Sequence, residues 1–273
     1  MIVLLKPVEL LYRGVNRLRR ALYRRGLLKP KRLTKPVISV GNIAIGGAGK
    51  TPAVIAICRY LEQHGLNVCV LTRGYGGTSA GIVDSLDATK FGDEPVLIKR
   101  STSSTKVVAG KNRYENASQQ SCDVFVLDDG FQHLQLHRDL DVVIDTPAGF
   151  YREGRSALRD AGIVVPRQLR VAIPQDLRGK RLYAFAGLAN NDQFFDALRK
   201  EGLNVESTRS FPDHHRYSAL DLAQIRHAAR GTDAIVTTEK DAVKIDAPDI
   251  VAIHADFIFA GDLLQRIEAV ARS

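Results

Sequence analysis

The chain has 273 residues, 45% hydrophobic and 25% charged, enough to bury one large core or two small ones. It carries no repeat or low-complexity tract, its apolar runs (Ile2 to Leu5, for instance) are too short to span a bilayer, and no secretory signal is expected at its N-terminus. Cys58, Cys69 and Cys122 are odd in number and far apart, which argues against a disulfide framework or a zinc site and fits a reducing cytoplasmic setting.

The net charge of +9 is local. Residues 1–35 hold eleven basic side chains against the single acid Glu9, leaving 28 basic and 29 acidic residues for the remainder. On a helix over 4–24, Leu4, Val8, Leu11, Val15, Leu18 and Leu22 form one apolar stripe. Lys6, Arg13, Arg17, Arg20 and Arg24 fall opposite it, and Pro7 is tolerated in the first turn. That pattern suits a helix lying in an anionic membrane interface. It equally suits a helix packed on its own domain with a solvated basic face. Nucleic-acid binding is not expected, because the stretch offers only Tyr12 and Tyr23 for stacking and no known motif.

After Lys35-Pro36, Val37 to Val40 reads as a short buried strand. Gly41-Asn42-Ile43-Ala44-Ile45-Gly46-Gly47-Ala48-Gly49-Lys50-Thr51 follows, then a helical pattern to about Gln63. Strand, glycine-rich loop and helix are the context of a phosphate-binding P-loop. Loop N–H groups over Ala44, Ile45, Gly46, Gly47, Ala48 and Gly49 can cradle phosphates, with Lys50 on the outer phosphates and Thr51 on Mg²⁺. Ala44 stands where the strict pattern has its first glycine. The other glycines still supply the flexibility the loop needs.

Asp123 to Leu127 is a second buried-strand pattern, ending in Asp128-Asp129-Gly130-Phe131-Gln132-His133. An acid at the carboxyl end of a parallel strand beside a P-loop is where such proteins hold their metal, which makes Asp128 the first candidate and Asp129 the second. Gly92-Asp93-Glu94-Pro95 follows the loop Arg73-Gly74-Tyr75-Gly76-Gly77. By spacing alone Asp93 is a proton acceptor or a helix cap. Phe211-Pro212-Asp213-His214-His215 and Thr237-Thr238-Glu239-Lys240-Asp241 are two more polar clusters, the latter after a strand pattern and at a helix start.

Taken together and in this order, these motifs resemble the tetraacyldisaccharide 4'-kinases of lipid A synthesis, including their P-loop variant without the first glycine. The resemblance covers most of the chain. It implies Asp93 as catalytic base oriented by His214, with Lys50 and Asp129 also catalytic. Thr51, Asp128 and Asp129 are then expected around Mg²⁺, and Asn42, Arg73, Tyr75, Arg113, Gln132 and His133 around substrate. It implies ATP as phosphoryl donor, an acylated disaccharide lipid as acceptor, and a peripheral position at the cytoplasmic face of the inner membrane. No obligate protein partner is implied. The stretch Asp145-Thr146-Pro147-Ala148-Gly149-Phe150-Tyr151-Arg152-Glu153 keeps only part of the family motif, and the segment from about Val165 to Arg181 is short for the family.

The expected fold is α/β: a mostly parallel P-loop domain, a smaller α/β domain and an N-terminal amphipathic helix. The expected boundaries are 1–35 for the basic segment, 36–150 for the P-loop domain, 151–180 for a linker and 181–273 for the smaller domain. Strands are expected near Leu182–Ala186, Val205–Thr208 and Ala234–Thr237. The competing reading is a membrane-associated P-loop NTPase switch with no lipid substrate. Its guanine-reading form would carry an Asn-Lys-x-Asp signal, for which Thr238-Glu239-Lys240-Asp241 is a poor substitute.

Overall fold

The computed structural model describes residues 6–44, 47–146 and 151–273. Its chain order begins with α1 (Lys6–Arg24), β1 (Val37–Asn42), α2 (Lys50–Gln63), β2 (Val68–Thr72) and the short β3 (Gly81–Ile82). Then come α3 (Ala88–Phe91), α4 (Asp93–Ser101), β4 (Lys106–Ala109), α5 (Arg113–Ser118), β5 (Val124–Asp128), β6 (Leu140–Asp145) and β7 (Ile163–Pro166). These strands form one sheet in the order β3-β4-β2-β5-β1-β6-β7. All its pairs are parallel except β3 with β4.

Every residue of β1, β2 and β5 is buried, as expected for central parallel strands covered on both faces. The apolar face of α2, with Ala53, Val54, Ile57, Cys58 and Leu61, is buried in a cluster with Ile38, Val40, Val70 and Val126. In the β1–β5 register Val40 lies opposite Asp128, so the carboxylate stands level with the start of the glycine-rich loop. β1 is central because β5 and β6 pair on either side of it.

The second sheet contains β8 (Leu169–Ala172), β9 (Arg181–Ala186), β10 (Asn204–Ser210), β11 (Ala234–Thr238) and β12 (Ile250–Phe257), in the order β10-β9-β11-β12-β8. Its pairs are parallel except β12 with β8. The three strands expected here are therefore present, each extended by a residue or more. α6 (Asp192–Lys200), α7 (Ala219–Ala228) and α8 (Glu239–Ala242) connect them. The stretch expected as a linker carries β7 in the first sheet and β8 in the second, so the chain crosses over between Pro166 and Leu169. The last helix, α9 (Leu263–Ala271), returns to bury Ile267 and Ala271 in the cluster of α2, alongside Phe257 of β12. That shared core braces the two sheets against each other.

α1 presents an unusual polarity. Asn16 and Arg20, one turn apart, are buried, whereas Leu10, Val15 and Leu18 are 65%, 56% and 63% exposed. Of the expected stripe, Val15 and Leu18 face outward and Leu22 is half-buried; Leu4 and the side chains of Val8 and Leu11 lie outside the described residues. Arg20, expected on a solvated basic face, is instead inward because Glu153 and Asp160 pair with its guanidinium. In the described part of the stripe, Val15 and Leu18 therefore do not pack on the domain. Among the described residues no helix is long and apolar enough to cross a membrane.

One close approach locks the loop after β5 onto β1. A Cβ on Gly41 would lie 2.5 Å from the Phe131 Cβ and 2.9 Å from its backbone nitrogen. Gly41→Ala should therefore cost about 1–3 kcal/mol in urea unfolding. Gly14→Ala, in α1 with nothing within 4 Å, should instead leave stability unchanged or raise it by up to about 1 kcal/mol. Equal effects at both positions would contradict this packing.

Candidate active site

The site is built at the carboxyl ends of β1 and β5, where an open parallel sheet leaves a crevice. Asn42 closes β1; its side-chain amide donates to the Ala44 carbonyl (2.9 Å) and its Oδ1 accepts from Lys50 Nζ (3.3 Å). Gln132 Nε2 donates to the Asn42 carbonyl at 2.8 Å, joining the loop after β5 to the start of the glycine-rich loop. Gly49 takes the left-handed conformation (φ 79°) that turns the chain into α2, so Lys50 and Thr51 occupy the first turn of that helix. Ile45 and Gly46 lie outside the described residues.

Asp128, the last residue of β5, is buried and accepts from Thr72 Oγ1 at 3.2 Å. Asp129 follows with φ 50°, a conformation that non-glycine residues adopt rarely. This turn directs its carboxylate to Lys50 Nζ (3.4 Å) and Arg152 Nη1 (2.8 Å). Arg113 opens α5, and its buried guanidinium donates to the Asp128 carbonyl (3.0 Å) and lies 3.3 Å from His133 Nδ1.

A second cluster comes from α4 and the second sheet. Gly92 has φ 91°, and a Cβ there would collide with the Tyr75 carbonyl, so the Arg73–Gly77 loop packs directly on the start of α4. Asp93 is the first residue of that helix and is buried. Its side chain is no cap: it meets His214 Nδ1 at 2.9 Å. His214 has φ 59°, the second strained residue of the site, and its ring lies 5.1 Å from that of the exposed Tyr75. Lys240 stands between the two sheets' contributions, 3.4 Å from Glu94, 3.3 Å from Asp213 and 4.0 Å from Asp93. Lys244 lies 3.9 Å from Asp93 and 2.7 Å from the buried Asp241. A cleft of about 400 Å³ opens beside Asp93 and His214, with Arg100, Arg216 and Lys244 also on its wall.

The charges of the two clusters act on each other. Burial, then the charges of Glu94 and Asp129, push Asp128 from its ordinary 3.8 up to about 7. Burial also acts to raise Asp129, but Lys50 and Arg152 overcome it and hold this carboxyl below its usual range. Asp93 behaves similarly: burial opposes ionisation, yet the His214 hydrogen bond and the Lys240 charge keep it low. The same hydrogen bond to Asp93 raises His214. Burial and the neighbouring Arg113 drive His133 down to about 4, so it is neutral near pH 7.

Comparison with known proteins accords with this geometry. A sequence profile described as Tetraacyldisaccharide-1-P 4'-kinase matches residues 1–176 and 167–272. Similar proteins include the tetraacyldisaccharide 4'-kinases of Pelobacter propionicus (38% identical, 89% of this chain and 82% of that protein) and of Polaromonas sp. (41%, 89% and 82%). The chain belongs to the tetraacyldisaccharide 4'-kinase family. A crystal structure of LpxK from Aquifex aeolicus in complex with ATP is 30% identical, with a TM-score of 0.79 over 98% of this chain and 99% of that one. The expected α/β fold with mostly parallel sheets is thereby shown.

Of the residues expected at the site of this kinase family, Asn42, Lys50, Asp128, Asp129, Arg113, Gln132 and His133 stand in one network. Asp93, His214 and Tyr75 form the other, and Glu94, next to Asp93, links it to the first through its charge on Asp128. Arg73 is exposed at the mouth of the loop, close enough for its charge to act on Arg113. Thr72 and Lys244 are not signalled by the sequence, and Glu94, Lys240 and Arg152 lie in motifs that give them no site role. The partial Arg152-Glu153 motif was the one available signal, and its arginine proves to pair with Asp129.

The oxygen donors Thr51, Asp128 and Asp129 are of the type Mg²⁺ requires, and the unneutralised pressure on the buried Asp128 fits an added cation. Among the described residues no group of three or more His, Cys, Asp or Glu could hold a metal ion by itself. A nucleotide-borne Mg²⁺ needs only one or two protein carboxylates, so the donor set fits.

An acid whose folded-state pKa is raised costs stability when ionised. For Asp128 that cost is absent below about pH 4, grows up to about pH 7 and is constant above. Without nucleotide, Asp128→Asn should therefore melt several degrees higher than wild type near pH 8, and the gap should shrink near pH 5. Thermal denaturation giving the same gap at both pH values would contradict the burial of this carboxyl.

Proposed function

We propose that the chain transfers the γ-phosphoryl group of ATP to the 4'-hydroxyl of a tetraacyl glucosamine disaccharide 1-phosphate, a step of lipid A synthesis. The observations that carry this reading are the pairing of Asp93 with His214 and a P-loop lysine on Asp129, with Glu94, next to Asp93, close enough for its charge to act on Asp128. A pure nucleotide switch has no use for a buried base held by a histidine from a second sheet. The two sheets act as lobes dividing near residues 166–169, with the reaction between them.

In this mechanism the loop through Gly47, Ala48 and Gly49 and the N–H groups at the start of α2 hold the nucleotide phosphates. Lys50 stabilises negative charge on the group in transfer. Thr51, Asp128 and Asp129 would hold Mg²⁺, which would supply neutralisation of phosphate charge. Arg152 keeps Asp129 ionised and fixed in direction.

The Asp93 carboxylate accepts the proton of the attacking hydroxyl as the new P–O bond forms and the bond to the β-phosphate oxygen breaks. His214 holds that carboxylate by donating from Nδ1. Lys240 Nζ lies 3.5 Å from His214 Nε2, and an ammonium can only donate, so this contact favours the proton on Nδ1. Asn42, Arg73, Tyr75, Arg113, Gln132 and neutral His133 are assigned to acceptor and phosphate contacts around the crevice.

The membrane seat is α1, at the cytoplasmic face of the inner membrane. Its outward Leu10, Val15 and Leu18, with exposed Arg17 and Arg24 nearby, suit the interface of an anionic lipid surface. The acceptor resides in that same surface.

The test is label transfer from γ-labelled ATP to the tetraacyl disaccharide 1-phosphate in detergent micelles. Asp93→Asn should lower transfer by about 10²–10⁴-fold while nucleotide affinity, read by fluorescent ATP displacement, stays near the wild-type value. Unchanged turnover in the variant would remove Asp93 as the base. ATP hydrolysis that proceeds equally well without the lipid would instead favour a nucleotide switch.

A further inference from the structure

We propose that Arg20 is a positioning residue: it ties the seating of α1 on a lipid surface to the geometry of the Asp129–Arg152 pair. The proposal rests on the membrane reading given above.

The helix is attached by polar contacts to two chain segments, and those segments are the ones whose side chains meet in the active site. Arg20 Nη2 donates to a Glu153 carboxylate oxygen at 2.7 Å and to the Phe131 carbonyl at 3.3 Å. Its Nη1 donates to Asp160 at 3.2 Å, and its guanidinium lies 4.3 Å over the Phe131 ring. One turn earlier, Asn16 Nδ2 donates to the Arg152 carbonyl at 3.1 Å, and Arg19 reaches the Gln132 carbonyl at 3.4 Å. Arg152 is the residue that grips Asp129 at 2.8 Å. The backbone N–H groups of Arg152 and Glu153 in turn donate to the Ile43 carbonyl at 2.7 and 3.3 Å, where the glycine-rich loop begins.

A helix needed only for packing would meet the protein with its leucines. Here the buried contact is a guanidinium, costly to desolvate unless well paired, and its Nε has no partner at all. Meanwhile Leu10, Val15 and Leu18 of α1 point away from the protein, and Leu22 is half-buried. On this proposal α1, whose described inward contacts are the polar ones of Asn16 and Arg20, shifts more freely in water. Seated on lipid by its outer face, it is restrained, and the restraint passes through Arg20 and Asn16 into residues 129–132 and 151–153. Binding that removes motion at one place lowers the cost of order at another. The same helix that brings the enzyme to its acceptor thereby steadies Asp129 at the moment the acceptor is within reach.

Hydrogen exchange tests this directly, on the full chain with vesicles of phosphatidylglycerol and phosphatidylethanolamine. In the wild-type protein, vesicles should slow exchange of the amides in 129–133 and 151–155 about tenfold. Arg20→Gln should still sediment with the vesicles but exchange at the same rate with and without them. A purely structural role would speed exchange in both conditions and leave the vesicle-dependent ratio intact. Arg20→Lys keeps the charge but cannot serve Glu153, Asp160 and the Phe131 carbonyl at once; it should keep less than about a third of the slowing, and it serves as the measure if Arg20→Gln does not fold. Full slowing in either vesicle-bound variant overturns the proposal, as does the absence of slowing in vesicle-bound wild type. Wild-type protein that stays in the supernatant instead refutes the membrane reading, an outcome that sedimentation alone distinguishes.

Discussion

Carboxylates crowded at the carboxyl edge of a parallel sheet repel one another and lose hydration, and the arrangement around them follows from the need to hold them there. Asp128 and Asp129 are adjacent in sequence, and Glu94 is close enough to raise the first of them. The chain answers with cations drawn from distant positions: Lys50 from α2, Arg113 from α5, Arg152 from the connection after β6, and Lys240 and Lys244 from the second sheet. Of Asp93, Asp128 and Asp129, it is Asp128 that is left under-compensated. That imbalance is stability given up at the place where a metal-bearing nucleotide would restore it, a common trade at active sites.

The same constraint explains where the backbone is strained. Asp129 and His214 are the non-glycine residues with positive φ among the described residues, and one stands in each of the two clusters. At Asp129 the turn separates its carboxylate from that of Asp128 and sends it to Arg152. At His214 the turn brings a ring from the second sheet onto Asp93 of the first. Each distortion costs of order 1–3 kcal/mol and is accompanied by an ion pair, Asp129 with Arg152 and His214 with Asp93. Strain and charge pairing are thus two sides of one arrangement.

The sequence made local features legible and left long-range pairings hidden. β1, the glycine-rich loop and α2 follow one another within thirty residues, and their chemistry could be read from a strand pattern, glycines and Gly49-Lys50-Thr51. Asp128 was placed by the apolar run that ends on it. Asp93 was ambiguous, because a helix N-terminus favours an acid for capping as readily as for chemistry; only His214, 121 residues away, resolves it. Lys240 looked like part of a helix start, since nothing local says that Glu94 and Asp213 will surround it. Arg20 was misplaced for the opposite reason. Periodicity divides a helix into apolar and charged faces, but it does not say which face turns inward, and the buried Glu153 that decides the question lies 133 residues further on.

That inversion bears on the membrane seat proposed for α1. A soluble domain lowers its free energy by turning leucines in and arginines out, and α1 does the reverse at Leu18 and Arg20. The arrangement is stable only if the inward cation finds anions and the outward apolar side chains find something other than water. Glu153 and Asp160 meet the first condition within the chain itself. On the membrane seat proposed above, the second is met from outside, by an anionic lipid surface with an apolar phase and room for neighbouring arginines. Because the anions on Arg20 sit on the segment that also carries Arg152, the condition met outside the protein and the charge balance inside the active site are joined through a single buried guanidinium.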